Sequence, residues 1–439
     1  MLGGVPIWHV FPQPDHQLLV ATEQGDAVAE ARRRMVELGR ALADVAEFEE
    51  PVTGEEGDLV AEVERRRESA DAILVQVSSV LDPRLWAIDA PILAWSGERT
   101  PMMGLYNLPL SERRAHPNVT LCLDQRELRA GLVGVRAAQV VNRLRETRMI
   151  ALGAYASADR LPDPERLREV MGVELVQVPA ADFLSLVDQV DAEEAAQVGR
   201  AWAEGARRVD EPDATDVDSA ARIHVALSQL LARERAQAVS VGCLEFMYAH
   251  ECRPFCWVLA SLRDQGLPAG CEADAAATLT LLAVEYLAER PGYMGNLVAA
   301  DPEAQTIAIS HGCSPTRMRG RDVAAIPYRL VHSHSVPPFS RDLSRGSGLT
   351  SYVEYDRGQE VTIARLCGDL ETFLVTGGEI TDCQDTICDR TTVTVRVPDA
   401  RRFVQLATGN HQCLFYGNLV DELHEVGRQL GLEVVDPAH

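Results

Sequence analysis

Two acids stand two positions apart in the segment GCEADAAATLTLLAVEYLAERPGYMGN, residues 270–296: Glu272 and Asp274. Glu272 falls at the carboxyl end of an expected strand, LPAGCE, where open α/β sheets bind their ligands. Asp274 opens a run of good helix formers and suits a helix N-cap. Histidines could join them. His311 follows the apolar TIAIS, and His411 sits in TGNHQCLFYGN. His332 and His334 in HSHS have the spacing of one strand face. Carboxylate oxygens with one or two imidazoles suit Mn²⁺, Fe²⁺ or Zn²⁺. Glu245, in CLEF at the end of another expected strand, is a further acid for the same cleft. Each also has a plain structural reading: a solvated loop acid, a helix cap, hydrogen-bonded imidazoles, a salt-bridged glutamate.

The elements that would position these groups read as alternating strands and helices, then strands alone. VPIWHVF, DAILVQVSS, APILAWSG and NVTLCLD are strand-like, with amphipathic helices over GDAVAEARRRMVELGRALADV and DLVAEVERRRES. A second α/β unit follows the helix GVRAAQVVNRLRETR. It has strands MIALGAY, VELVQVP, AVSVGCLEF and LPAGCE, and helices DFLSLVDQVDAEEAAQVGRAW, FCWVLASLRDQG and DAAATLTLLAVEYLAER. The stretch 209–219, VDEPDATDVDS, reads as a polar, Pro-broken connection. From about residue 303 the pieces QTIAISHG, IPYRLVHSHS, SYVEYDRG, EVTIARLCG, TFLVTGGEI and TTVTVRVPD predict an all-β module, a barrel or sandwich. An amphipathic helix and a last strand, in NLVDELHEVGRQLGLEVV, close the chain. The expectation is an α/β chain: two doubly wound parallel-sheet domains, 1–145 and 146–302, then a barrel-like β-rich domain, 303–439.

Composition narrows the chemistry. The 439 residues carry 42 basic side chains, all Arg, and a net charge of −24. Without Lys there is no Schiff base and no P-loop lysine. So acidic a surface repels phosphate backbones, which argues against nucleic acid as a partner. No apolar run is long enough for a membrane span, and MLGGVPIWHVF lacks a secretory signal's basic head, so a cytoplasmic location is expected. None of the ten Cys forms a C-x-x-C pair, which favours reduced buried thiols over structural zinc or a disulfide framework. RGSG at 345–348 precedes no helix pattern and reads as a turn.

Several of these pieces, in this order, resemble the superfamily of L-fucose isomerase and L-arabinose isomerase. They are FCWVLASLRDQGLPAGCEADAAATLTLLAVEYL, YMGN, TIAISHG, GEITDC…CDRTTVTVRV and GNHQCLFYGN, spanning roughly residues 240–435. The resemblance implies an aldose–ketose isomerase working by proton transfer through an enediol that a divalent metal, usually Mn²⁺, stabilises. It maps a metal-binding and proton-transferring glutamate onto Glu272, and metal-binding histidines onto His411 and His311. It also implies a small carbohydrate-like substrate and a homo-oligomer, trimer or hexamer. Asn296, Asn410 and Glu245 are expected on the substrate. One position departs. Where the family carries a metal-binding acid on the next strand, this chain has YMGN, with Asn296 there. An amide oxygen can ligate but cannot usefully accept a proton. Asp274, Asp301 or Glu245 is then the replacement acid, with Asp274 taken beside Glu272 as catalytic. Otherwise the fold serves a lyase or transferase on a sugar-like or thiol-bearing substrate, Cys243, Cys271 and Cys313 lying beside strand ends. A non-catalytic sugar-binding homologue is the third reading.

Overall fold

The computed structural model describes residues 118–439 except 154–159, 334–345 and 387–389. Of the first 117 residues it describes 17–22, 33, 36–43, 45–49, 52–53, 59–67, 70–76 and 83–95. The expected strand VPIWHVF, part of the helix after it, and His334 lie outside the described residues. The chain divides into two compact units, within 11–139 and from 140 onward.

The first unit holds a parallel sheet in the order Glu47–Phe48, Gln17–Thr22, Ala72–Gln76, Ile92–Trp95, Val119–Cys122; the short strand Val52–Thr53 also pairs with Gln17–Thr22. Both faces of the sheet are covered. Leu74, Leu93, Trp95 and Cys122 pack with Leu128 and Leu132, while Ile73, Val75 and Ile92 pack with Val60, Val63 and Trp86. Burial on two faces is why these strands read as continuous apolar runs.

The second unit combines a parallel sheet with a barrel. The sheet runs Ala269–Gly270, Ala238–Val241, Arg148–Leu152, Glu174–Val178. The barrel has six antiparallel strands in the order Glu360–Leu366, His411–Tyr416, Tyr293–Asp301, Thr306–His311, Arg390–Arg396, Thr372–Thr386, and the last pairs back with the first. Closure removes the open edges a six-stranded sheet would otherwise expose. The strand Glu433–Val435 adds to Thr372–Thr386 in parallel. Arg208–Val209, Tyr328–Ser333 and Ser347–Val353 form a small third sheet. The architecture is therefore the expected one: parallel α/β sheets followed by a β-barrel.

One helix joins sheet and barrel. Ala275–Ala288 is mostly apolar and buried all along its length except at Glu285 and Tyr286, as a helix between two layers must be. It packs on Ala238–Val241 and Ala269–Gly270 on one side and on Glu360–Leu366 and His411–Tyr416 on the other. Leu279, Leu281, Leu282 and Val284 are at most 2% exposed. Each contributes about 2 kcal/mol of burial. Close approach needs small residues: a Cβ on Gly270 would sit 1.8 Å from Thr278 Oγ1. The Leu366 amide donates to Thr280 Oγ1 at 2.9 Å, fastening the barrel to the helix.

Three local expectations are corrected. The strand in AVSVGCLEF ends at Val241, and Cys243–Ala249 is a helix, so Glu245 sits in a first helical turn. The long acidic helix is two, Ala180–Val187 and Ala192–Gly205, because Asp191 caps a new start by accepting from the Glu193 and Glu194 amides. The connection at 209–219 becomes helical from Ala214, where Asp213 and Asp216 form a capping box.

Candidate metal centre

Glu272 is placed by a strained turn. After the strand Ala269–Gly270 the chain turns sharply, with Glu272 at φ 53° and Ala273 at φ 55°. Non-glycine residues enter this left-handed region only when the surroundings enforce it, at about 1–2 kcal/mol each. Here the Ala273 amide donates to Val241 O at 2.8 Å and the Asp274 amide to Cys271 O at 3.1 Å. Arg160 braces the turn from outside. Its carbonyl accepts from the Ala275 amide at 2.9 Å, and its guanidinium donates to Glu272 O at 3.1 Å and Oε2 at 3.2 Å. Nothing in its surroundings, SADRLPDP, marks this arginine in the sequence.

Two imidazoles from the barrel face the carboxylate. His311, ending the strand Thr306–His311, brings Nε2 to 3.5 Å from Glu272 Oε1. His411, opening the strand His411–Tyr416, brings Nε2 to 3.6 Å from Glu272 Oε2. The ring centroids are 5.4 Å apart, and one donor atom from each of the three residues lies within 4.8 Å of the others. Spacing of this order lets three groups share one ion.

Asp274 works from behind His411. It is fully buried and caps the helix by accepting from the Ala277 amide at 2.9 Å. Its other oxygen accepts from Arg365 Nη1 at 2.7 Å and His411 Nδ1 at 2.8 Å. Burial would raise this carboxyl, but the charge of Arg365 and the bonds from His411 and Arg365 hold it far below the usual range. Arg365, 1% exposed, is therefore a working part of the site, signalled in sequence only as a lone arginine within the apolar strand EVTIARL.

The network assigns the imidazole protons, and it treats the two rings oppositely. An ionised carboxylate can only accept, so His411 carries a proton on Nδ1, which leaves Nε2 as the nitrogen a neutral ring would offer to a metal. That Nε2 is buried and without a hydrogen-bond partner. A histidine held by a carboxylate behind it is the usual arrangement of a metal ligand. His311 Nδ1 instead accepts from the Gly312 amide at 2.9 Å and the Cys313 amide at 3.3 Å. Burial disfavours a charged ring, yet Cys271 and Glu272 raise His311 to about 10. Two amides aimed at Nδ1 oppose a proton there, so the proton that faces Glu272 is on Nε2. Glu272 itself is pushed up by burial and pulled down further by both histidines, ending below its ordinary value.

The amide that replaces an acid belongs to the same place. Asn296 pairs directly across from His411 on adjacent antiparallel strands, and its Oδ1 is buried and unpartnered. Directly opposed residues of one face lie about 5 Å apart. Two orphaned buried acceptors in one register are what a missing cation or donor would satisfy. The remaining expected residues stand elsewhere or make looser contact. Asn410 is exposed, and its carbonyl accepts from the Leu297 amide. Glu245 lies against Gly153 at the end of a parallel strand, 4.0 Å from His250 Nε2. Asp301 is exposed and ties its own turn through the Glu303 and Ala304 amides. His332 donates to Asp216 rather than joining the cluster.

No family model matches the chain. It is similar to the sulfoquinovose isomerase of Clostridium sp. (strain MSTE9), 24% identical over 314 residues, which are 68% of this chain and 66% of that protein. The match thus spans just under two thirds of that relative's length. The relative is a sugar isomerase, and the likeness supports the resemblance to the L-fucose and L-arabinose isomerase superfamily.

Proposed function

We propose that the protein is a metal-dependent sugar isomerase, interconverting an aldose and a ketose. The observation that carries this reading is the convergence of Glu272, His311 and His411, with His411 Nε2 and Asn296 Oδ1 left buried and unpartnered beside them. Their donor set fits a divalent cation held by oxygen and imidazole, with Mn²⁺ the expected ion. Bound there, such a cation polarises the substrate's carbonyl and hydroxyl oxygens and stabilises negative charge on them. The chain's own residues do the rest. Glu272 removes the proton from the carbon next to the carbonyl and returns it to the neighbouring carbon. Asp274 and Arg365 hold His411 in its ligating tautomer. Asn296 supplies a neutral oxygen where the family has an acid. Asp274, with both oxygens engaged, acts by positioning and not by proton transfer. His311 would be the weakest of the three holders, because its Nε2 carries the proton that faces Glu272.

The substrate class is a sugar or sugar derivative, and sulfoquinovose, named for the relative, is the first compound to try. The superfamily resemblance adds a homo-oligomer, trimer or hexamer. No helix among the described residues is long and apolar enough to cross a membrane. The test is turnover of sulfoquinovose and plain aldoses by Mn²⁺-loaded protein in D₂O. Product carrying solvent deuterium at the reacting carbon is expected. Product without deuterium would replace proton transfer by a hydride shift. No turnover of any sugar would sink the isomerase reading.

A further inference from the structure

A second cluster of donors abuts the first. Four cysteines from four separate elements meet around Cys271. Cys243 begins the helix Cys243–Ala249, Cys256 begins the helix Cys256–Asp264, Cys271 follows the strand Ala269–Gly270, and Cys313 lies just beyond Thr306–His311. The sulfurs of Cys256, Cys271 and Cys313 are all within 4.8 Å of one another, and those of Cys243 and Cys271 are 3.2 Å apart. Cys243, Cys271 and Cys313 are at most 7% exposed, and Cys256 is half-buried.

Thiols that merely fill a core behave as small apolar groups and have no reason to seek each other. Sulfurs that share a soft ion do. With metal–sulfur bonds of about 2.3 Å, tetrahedral thiolates stand roughly 3.8 Å apart. The sulfurs of Cys256, Cys271 and Cys313 need only a small adjustment to reach that spacing, and Cys243 joins them through its contact with Cys271. The sequence hides it because the four positions are 13, 15 and 42 residues apart, with no tight pair to announce them.

We propose that Cys256, Cys271 and Cys313, with Cys243 as a fourth sulfur, form a binding site for a thiophilic d¹⁰ cation of the zinc class, separate from the oxygen–imidazole centre. Binding exchanges the thiol protons for the cation and involves no electron transfer. The two sites are neighbours in the chain, since Cys271 precedes Glu272 and Cys313 follows His311 by two. The site does not depend on the sugar chemistry and stands if that reading fails.

The test is titration of reduced, metal-stripped full-length protein with Cd²⁺, read by the ultraviolet thiolate-to-cadmium charge-transfer band. One equivalent per chain is expected to develop the band. Cys256→Ser and Cys313→Ser should each weaken binding by about tenfold or more. Glu272→Gln, which disables only the neighbouring centre, should keep the band. No band in the wild-type protein would overturn the proposal without recourse to any variant. So would a band unchanged in both serine variants, or one lost in Glu272→Gln alone.

Discussion

Two acids of the second unit, one buried and one half-buried, meet histidine and arginine in opposite ways. Asp216, with its side chain 2% exposed, has every acceptor position filled. Arg253 donates at 2.7 Å, the Gly348 amide at 2.8 Å, His332 Nε2 at 3.0 Å and the Asp213 amide at 3.1 Å. It fastens the start of helix Ala214–Glu234 to two strands and the Arg253 loop. Glu272 sits on a strained turn with its imidazoles standing off at 3.5 and 3.6 Å, and acceptors near it are orphaned. Saturation marks an acid that holds structure. An underfilled constellation, maintained against backbone strain, marks one that waits for something to bind.

The contrast predicts opposite losses. Glu272→Gln should lower kcat by about a thousandfold in metal-replete protein. Its melting temperature should stay close to wild type. Turnover left intact would break the distinction from the active side. Asp216→Asn should do the reverse, costing about 1.5–3 kcal/mol because two amides, His332 and Arg253 lose a charged acceptor. Denaturant unfolding measures this, with kcat of the folded fraction expected within a few-fold of wild type.

Asp274 tests the boundary between the two classes, because it is saturated yet serves the site through His411. Asp274→Asn should weaken Mn²⁺ binding by about 10–100-fold, as lost support behind a ligating histidine does. It should also destabilise the fold through unpaired Arg365. Unchanged affinity with lowered stability would move Asp274 wholly to the structural side.

Acid stability offers the smallest effect. Burial raises the Asp216 carboxyl, but bonds from Arg253, His332 and two amides hold it below its ordinary 3.8. A carboxyl depressed on folding contributes stability above its unfolded value and loses it as pH falls through the folded one. Wild-type stability should therefore drop below about pH 4. Asp216→Asn should show a shallower drop in that window, by urea unfolding at several pH values.

Much of this was legible in the residues, for reasons that can be named. Strand and helix periodicities gave the sheets and the barrel because two-sided burial and closure leave strong patterns, as in TIAISH and TFLVTGGEI. The cap at Asp274 followed from the helix formers behind it. Its second duty toward His411 did not, because 137 residues separate them and only the closed barrel brings them together. Glu245 was misplaced because short apolar runs such as AVSVGCLEF do not distinguish a strand from a strand that turns into a helix. The HSHS spacing suits a metal, yet His332 meets a saturated aspartate; periodicity gives the face a side chain points to and not its partner. Arg160 carries no local signature, and of the thiol cluster only the strand-end positions of Cys243, Cys271 and Cys313 could be read, not their meeting.

The convergence of three side chains on one cation is tested most directly by calorimetric titration of metal-stripped protein with Mn²⁺. One ion per chain should bind the wild type. Glu272→Gln and His411→Ala should lose most of that affinity. His311→Ala should lose less, since its Nε2 carries the proton that faces Glu272 while Asp274 holds His411 by Nδ1 and leaves its Nε2 toward the site. Absence of Mn²⁺ binding to the wild type, or affinities unchanged across all three variants, would contradict the account.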